Sequence, residues 1–494
     1  MSMLMAHLPA LQVVIPLLAA PIAFMLRKPQ LAWIVALLAT ASAFAVSFLL
    51  LQHVHANGMI SYEMGGWEAP WGIEYVIDKT NAFVLLIVSA IGLLLMPYAA
   101  QSVAKEIAPE NQTIFYTAYL LCLSGLLGIT ATGDAFNVFV FLEISSLSSY
   151  TLISLGKDRR ALTASFQYLV MGTIGATLIL IGVGLLYMMT GTLNMYDLAE
   201  RLPEVIDTRT VRTAFAFLTV GVCLKLALFP LHMWLPNAYG YAPSTVSAFL
   251  AATSTKVAIY VLLRFVFTIF GIEFSFGSMA LNYVLPALAV AAIIVGSLTA
   301  IYQTNIKHLL AYASVAQIGY ILLGVSLVSV TGLSAALLHI FNHAIIKCGL
   351  FLAVGCIFYR FGSARMDDMK GLGKLMPWTM AAIVAGGLSL IGVPLTVGFI
   401  SKWYLVIGAL ERDLWYVAVI VLAGSLLAVA YIWKLVEAAY FQAPPEGAER
   451  KEAPFFMLLI VWAFVFANFY FGIDTDLTVS SATQAAQQLM GVAP

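Results

Sequence analysis

Long apolar runs, separated by short polar segments, account for most of the chain. A membrane-spanning helix needs about 20 mainly apolar residues, so the 494-residue sequence predicts about fourteen of them. The pattern leaves no linker or charged run long enough for a separate soluble domain. We therefore expect an all-α polytopic membrane protein. The predicted spans are 8–26, 31–53, 79–101, 113–131, 133–155, 163–190, 211–230, 244–270, 281–303, 307–329, 333–358, 376–409, 414–441 and 455–472.

Two of these spans carry a proline in their interior. Pro230 lies within the seventh span, and Pro394 lies within the twelfth, which also contains several glycines. Proline has no amide hydrogen to donate, and its ring presses on the carbonyl four residues earlier. Non-helical backbone at membrane depth is tolerated only where it is buried in protein or lines a wet cavity. We therefore predict that both spans are broken helices.

The spacing of the two breaks indicates an internal repeat. Because they are five spans apart, an odd number, two five-helix units would have opposite orientations in the membrane. Inverted repeats with broken helices at matching positions are the plan of many transporters. The predicted parts are an N-terminal three-helix segment (1–112), a first five-helix repeat (113–270), a second, inverted repeat (281–441) and a C-terminal helix and tail (455–494).

Composition and charge are consistent with a membrane protein. Of the residues, 62% are hydrophobic and 10% are charged, whereas soluble domains carry about 25% charged residues. The net charge is zero, so no basic surface is available for nucleic acid. Lysine and arginine concentrate in one of the two alternating sets of loops, the set that begins with residues 27–30. The positive-inside rule then predicts a multi-pass protein of the cell inner (plasma) membrane with both termini outside the cytoplasm.

Glu143 and Lys225 are charged residues deep within predicted spans. A lysine in hydrocarbon costs roughly 2.5–3.5 kcal/mol on insertion scales, which makes Lys225 a functional candidate. Glu143 lies too deep to reach water and needs a partner or a proton. Burial disfavours the charged forms of both groups, so a pair that opens and closes could exchange a proton. The alternatives are a static ion pair or, for Lys225, a side chain that reaches the membrane interface beside a packing kink.

Five further ionisable residues lie within or beside later spans. Lys256 follows a Thr-Ser-Thr run whose hydroxyls could hold water. His339, His343 and Lys347 are four residues apart and share one face of a helix. For the histidines a proton relay, structural hydrogen bonding and a metal site remain open, although no carboxylate lies nearby in sequence and Lys347 would repel a metal ion. Lys402 follows the second break and is predicted to act there as the lysine before the first break does.

These ionisable residues form the candidate site. Their distribution over consecutive spans favours lateral proton transfer through the middle of the membrane. We find no phosphate-binding loop, nucleotide fingerprint, redox-cluster motif or hydrolase triad in the sequence, and we expect no catalytic site, cofactor or metal in this chain. The predicted relay residues are Glu143, Lys225, Lys256, His339, His343, Lys347 and Lys402, with Pro230 and Pro394 as helix breakers.

Six segments of the chain resemble one known family, the antiporter-like subunits of the multisubunit Mrp cation/proton antiporters and of respiratory complex I. The resemblance implies fourteen helices, two inverted five-helix repeats and a proton path through the matching residues. The loops GGWEAPWGIEYVIDKTNAF and TGTLNMYDLAERL are most similar to the D-type subunits of Mrp antiporters. The six segments are FLEISSLSSY around Glu143, KLALFPLHMWLPNAY from Lys225, STKVAIY around Lys256, TNIKHLLAYASVAQIGY at 304–320, HIFNHAIIKCGLFL from His339 and GVPLTVGFISKW around Lys402.

The resemblance leads to a principal hypothesis and two alternatives. The first is a proton-translocating subunit of a multisubunit Na⁺ or K⁺/H⁺ antiporter. The second is a proton-pumping membrane subunit of a redox complex, such as complex I or a membrane-bound hydrogenase, in which case the chain would be part of an enzyme. The third is a structural scaffold whose buried charges only pair. All three require other membrane subunits as partners, because the chain shows no clear cation site of its own.

Overall fold

A computed structural model describes residues 6–444, 447 and 449–492 of the chain. Residues 1–5 and 493–494, at the ends of the predicted N-terminal and C-terminal segments, lie outside the described residues. The fold is mostly helical. Its helices are α1 (Leu8–Met25), α2 (Pro29–Asn57), α3 (Lys79–Glu106), α4 (Gln112–Ala131), α5 (Ala135–Ser154), α6 (Arg160–Thr190), α7 (Met195–Arg201), α8 (Arg209–Leu226), α9 (Trp234–Tyr241), α10 (Ser244–Ala252), α11 (Ser254–Leu263), α12 (Leu281–Ile301), α13 (Ile306–Ser326), α14 (Val330–Phe361), α15 (Leu372–Leu375), α16 (Pro377–Ile391), α17 (Val397–Leu410), α18 (Trp415–Val436), α19 (Phe455–Ile473) and α20 (Asp476–Met490).

Twelve helical stretches of the described chain are long and apolar enough to cross a membrane. They include the stretch from α10 to Ile269, in which α11 is prolonged by a π-helical turn. The two predicted spans outside this set are those with the proline interruptions, namely α8 with α9 and α16 with α17. The multi-pass helical fold is therefore confirmed, while the count of fourteen spans and the inverted repeat stay predictions.

Both predicted breaks are present, but the helices end before the prolines. α8 ends at Leu226, Ala227 adopts a left-handed backbone conformation with φ 60°, and α9 begins only at Trp234. Pro230 therefore lies within the gap and not at the last helical turn. In the second case α16 ends at Ile391 and α17 begins at Val397, with Pro394 between them.

The polar segments between spans contain small elements of structure. An antiparallel hairpin follows α2, and the isolated bridge between Tyr75 and Thr132 ties it to the turn between α4 and α5. The segment after α19 is a helix, α20, and not the tail that the sequence predicted. α20 packs its buried Ala482, Ala485 and Leu489 face against α14 and α3. The strands are β1 (Ile60–Glu63) and β2 (Glu74–Ile77).

α14 is the central helix of the second half of the chain. It packs against α10, α13, α16, α17, α19 and α20, and most of its side chains are buried. A helix that is hydrophobic all round, apart from a few polar residues, belongs in the interior of a bundle. The His339–His343–Lys347 face therefore lies inside the protein and not towards lipid.

Small residues bring the helix of Lys225 close to its neighbour. Gly175 of α6 and Gly221 of α8 face one another, and a Cβ at Gly221 would lie 2.7 Å from the carbonyl oxygen of Gly175. Such close backbone approach is typical of helix pairs in membranes, where small residues increase van der Waals contact. The contact fixes α8 one turn before Lys225 and so positions that side chain.

Candidate functional site

Glu143 and Lys225, predicted to be partners, meet in the structure. The Nζ atom of Lys225 lies 3.8 Å from Oε1 of Glu143 and donates a 2.8 Å hydrogen bond to Oγ of Ser146. Ser146 follows Glu143 by three residues on α5, so both face α8. Oε1 of Glu143 is buried and accepts no hydrogen bond from the described residues. The two charges attract each other without a hydrogen bond that would lock the pair.

The two members of the pair differ in exposure. The Lys225 side chain is 5% exposed, and that of Glu143 is 29% exposed. Glu143 therefore reaches the lateral surface of the isolated chain, although the sequence placed it deep in its span. A carboxylate on a lipid-facing surface is unfavourable, so this face of α5 is suited to cover by another protein.

The break after α8 has its own polar contacts. The carbonyl oxygen of Leu224 accepts a 2.9 Å hydrogen bond from the indole nitrogen of Trp234, at the start of α9. The amide of Leu228 donates to the carbonyl of Cys223. These contacts satisfy helix-end carbonyls that would otherwise be costly in a buried site. Lys225 thus lies in the last turn of α8, and hydrogen bonds hold the end of that helix in place.

Lys256 lies beside a third helix break, which the sequence did not predict. α10 ends at Ala252 and α11 begins at Ser254, with Thr253 in a non-helical conformation between them. The hydroxyl of Thr253 donates to the carbonyl of Phe249, four residues earlier, which is a contact known to bend helices. The Lys256 ammonium, fully buried, donates to the freed carbonyl of Ala251. The Thr-Ser-Thr run was the available signal for this break.

The two histidines of α14 have different surroundings. His339 is bonded through both ring nitrogens, to Oγ of Ser401 at 2.7 Å and to Oε1 of Gln317 at 2.9 Å. Both ring nitrogens of His343 are buried and have no hydrogen-bond partner among the described residues. The rings are stacked with their centroids 6.1 Å apart. His339 thus fits the structural alternative as well as a relay, whereas the part of His343 in a relay stays a prediction.

Lys347 and Lys402 both bind backbone carbonyls. The ammonium of Lys347 donates to the carbonyl of Leu310 at 2.8 Å. That of Lys402 donates to the carbonyls of Leu390 and Ile391, at 3.1 and 2.8 Å. The Lys402 contacts are at the C-terminal end of α16, where the helix dipole favours a positive charge.

Lys402 does not reproduce the environment of Lys225. Its third donor is used by Oγ of Ser425 at 3.0 Å, and its Nζ lies 4.7 Å from the ring centre of Tyr320. The described residues provide it with no carboxylate partner. That Lys402 acts in the second half as Lys225 does in the first therefore stays a prediction, and its contacts point to a different mode of charge stabilisation.

The remaining relay candidates form one cluster inside the protein. The ammonium of Lys256 lies within electrostatic range of His339, His343 and Lys347, and Lys402 lies within range of His339. The structure thus brings five of the seven candidates together, and Glu143 with Lys225 forms a separate pair. No group of three or more His, Cys, Asp or Glu side chains in the described chain could hold a metal ion.

Sequence reasoning missed a buried ion pair outside the relay. Nη2 of Arg264 lies 2.5 Å from Oδ2 of Asp78, and Nε of Arg264 donates to the hydroxyl of Tyr260 at 2.9 Å. Asp78 is fully buried and also accepts from the amides of Thr80 and Asn81, which caps α3. Arg264 in an apolar run and Asp78 just before another were the signals that could have found this pair.

We expect Gly398→Ala to destabilise the second broken helix. A Cβ at position 398 would overlap the carbonyl oxygen of Ser389, so α16 and α17 would move apart and carry Lys402 away from its carbonyl partners. Overpacking of this kind costs about 1–3 kcal/mol. A lower thermal unfolding midpoint would show it. Gly184→Ala is the control, because no atom lies within 4 Å of a Cβ at that exposed position in α6; equal midpoints for both variants would contradict the expectation.

Fold and site together define a class: a polytopic helical membrane protein with a carboxylate–lysine pair on neighbouring helices and an interior lysine–histidine cluster. Residues 132–428 match the model of the family described as "NADH:quinone oxidoreductase/Mrp antiporter, TM". The chain belongs to this family, and the resemblance seen in the sequence is confirmed.

Three individual relatives cover nearly the whole chain. It is 43% identical to the N subunit of the NADH-quinone oxidoreductase of Desulforudis audaxviator, over 91% of this chain and 89% of the relative. It is 29% identical to the D-type subunit of the Na⁺/H⁺ antiporter of Alkalihalophilus pseudofirmus, over 98% of each chain. A chain in the structure of the Mrp complex from Dietzia sp. DQ12-45-1b superposes with a TM-score of 0.89 at 26% identity, over 99% of this chain and 98% of that one. Both branches of the family are thus represented.

Proposed function

We propose that the protein is a proton-translocating subunit of a multisubunit monovalent cation/proton antiporter. The observation that carries this proposal is the Glu143–Lys225 pair, in which two opposite charges lie 3.8 Å apart on neighbouring helices without a direct hydrogen bond. The similarity of the chain to the D-type subunit of a Na⁺/H⁺ antiporter and to a chain of an Mrp complex supports an antiporter function. Sodium or potassium is the cation that we propose is exchanged for protons.

Proton movement would depend on opening and closing of the pair. While Glu143 is close, its carboxylate stabilises the Lys225 ammonium. When the carboxylate moves away, an uncompensated charge remains buried, which is costly. The proton then leaves Lys225 for the interior cluster of Lys256, His343 and Lys347. The breaks beside Lys225 and Lys256 place non-helical backbone near both groups, and water that enters there would connect them.

Other membrane subunits are part of the proposal. The similar proteins belong to multisubunit assemblies, and the partly exposed Glu143 side chain calls for a covering protein on that face of α5. We propose the plasma membrane as the location, with both termini outside the cytoplasm. The lysine and arginine bias of the loops supports this orientation.

The whole complex, purified and reconstituted into vesicles, tests the proposal directly. We expect an imposed Na⁺ or K⁺ gradient to drive a pH change inside the vesicles, without any electron donor, because exchange needs only the two ion gradients. A pH-sensitive dye trapped in the vesicles measures it. Vesicles without the complex control for leakage, and a pH change that requires NADH or another electron donor would contradict the antiporter.

A redox-driven proton pump is the second candidate. The 43% identity to a protein named as the N subunit of an NADH-quinone oxidoreductase favours it, since it extends over 91% of this chain. In such a complex the same buried groups would move protons, and electron transfer elsewhere in the complex would supply the energy. The electron-donor requirement in the vesicle experiment separates the two.

A further inference from the structure

A cavity lined by several cationic side chains lies away from the relay, at one end of the helices. It has a volume of about 480 Å³ and is formed where α3, α9, α13 and α14 reach the same membrane face. A volume of this size falls within the range of small-molecule sites. By the positive-inside rule this face is the proposed cytoplasmic one.

The walls of the cavity carry an excess of positive charge. Its cationic side chains outnumber its two carboxylates, Glu106 and Asp158. Asp158 is already paired with Arg160 at 2.6 Å. Glu106 is buried and accepts hydrogen bonds from Ser102 and Ser244. An entrance for cations or protons would need the opposite sign. The cationic side chains are Lys105, Lys157, Arg160, Lys307 and Arg365.

Lys307 has no direct counter-ion in the cavity. The residue is 3% exposed, and its ammonium donates to one group, the carbonyl of Ala242, at 3.0 Å. The ring of Phe358 lies below it, with the centroid 4.9 Å from Nζ. Glu106 lies within electrostatic range, but no carboxylate of the described chain forms an ion pair with Lys307. A buried charge without a direct partner is costly, so the site is suited to an anion.

The other groups of the cavity suit an anion with several oxygens. Arg365 is exposed at the mouth and presents a guanidinium, whose planar set of donors matches phosphate oxygens. Asn305, also in the wall, caps α13, whose N-terminal dipole adds to the positive potential. Next to Arg160, α6 continues with the exposed apolar side chains of Leu162 and Phe166, where acyl chains could lie.

We propose that this cavity binds a phosphoryl anion, supplied by the headgroup of an anionic phospholipid of the membrane. Lys307 at the base and Arg365 at the mouth hold the phosphate oxygens, and the acyl chains extend along the apolar start of α6. Basic pockets between helices at the cytoplasmic side are a recognised means of binding such headgroups. The site is independent of the proposed relay, and its occupancy would tie α9, α13 and α14 together.

Lipid binding by the delipidated complex tests the proposal. The probes are phosphatidylglycerol and phosphatidylcholine in mixed micelles, and inorganic phosphate alone. We expect phosphatidylglycerol, but not phosphatidylcholine, to raise the unfolding midpoint and to be retained in native mass spectra. Lys307→Gln and Arg365→Gln each remove a charge-assisted hydrogen bond and should weaken its apparent affinity about tenfold or more.

Arg159→Gln is the matched control, because Arg159 is exposed beside Arg160 but does not line the cavity. It should bind phosphatidylglycerol as the natural protein does. Equal effects of both lipids, or equal weakening by Arg159→Gln, would show general charge attraction and overturn the site. Arg365 is exposed, so Arg365→Gln should fold and still tests the lipid site if Lys307→Gln does not fold. Variant-sensitive stabilisation by inorganic phosphate, with no added effect of the lipid, would overturn the lipid as the source.

Discussion

Glu143→Gln is expected to abolish cation-driven proton movement while leaving the complex assembled. Glutamine has nearly the same size as glutamate, so packing of α5 is kept, but it cannot carry the charge that stabilises the Lys225 ammonium 3.8 Å away. Positioned proton-transfer groups contribute 10²–10⁴-fold to rates, so exchange should fall about 100-fold or more. The internal pH of vesicles that contain the complex measures the rate, and gel filtration measures assembly.

Two further variants show whether the charge itself is responsible. Glu143→Asp keeps the carboxylate but shortens the side chain, so the gap to Lys225 widens and exchange should be reduced and not abolished. Glu411→Gln removes an exposed carboxylate just after α17 and should leave exchange unchanged. Exchange at the natural rate in an assembled Glu143→Gln complex would remove the pair from the proton pathway.

The long spans and the Glu143–Lys225 pair could be predicted from the sequence for simple physical reasons. Each span is a continuous apolar run, and a helix is the structure in which a single segment satisfies its own backbone hydrogen bonds in lipid. A carboxylate and a lysine at similar depth in the membrane have few other charged side chains to pair with. The sequence therefore identified the partners, although the partial exposure of Glu143 depends on which neighbouring helices happen to cover it.

The positions of helix ends and the hydrogen-bond partners could not be predicted. α8 ends before Pro230, and Trp234, eight residues beyond Leu226, reaches back to the carbonyl of Leu224. His339 is held by Gln317 and Ser401, which are 22 and 62 residues away in sequence. Such contacts depend on how helices pack, and no local pattern encodes them.

The C-terminal helix was missed for a different reason. The segment Asp476–Met490 has no long apolar run, so a rule based on membrane spans leaves it as a tail. Its buried positions Ala482, Ala485, Ala486 and Leu489 nevertheless follow the i, i+3, i+4, i+7 spacing of an amphipathic helix. The signal was present, but it described a helix that packs on the bundle and not one that crosses the membrane.

Arg264→Met is expected to destabilise the protein strongly, and Asp78→Asn should restore much of the loss. Met fills the space of the arginine stem but leaves the fully buried Asp78 carboxylate without its charge partner. Breaking a buried ion pair from one side costs about 3–5 kcal/mol. Asn at position 78 removes the orphaned charge and can still cap α3, since asparagine is among the best residues at that position. The double variant should therefore unfold at a higher temperature than Arg264→Met alone.

The exposed ion pair between Arg212 and Asp207 provides the matched comparison. Its atoms are 3.5 Å apart, and its side chains are 51% and 89% exposed. Water already solvates both charges, so Arg212→Met should cost less than about 1 kcal/mol. Thermal unfolding of the variants in the same detergent gives the order of their stabilities directly. If Arg264→Met unfolds no earlier than Arg212→Met, the Asp78 carboxylate does not depend on its arginine.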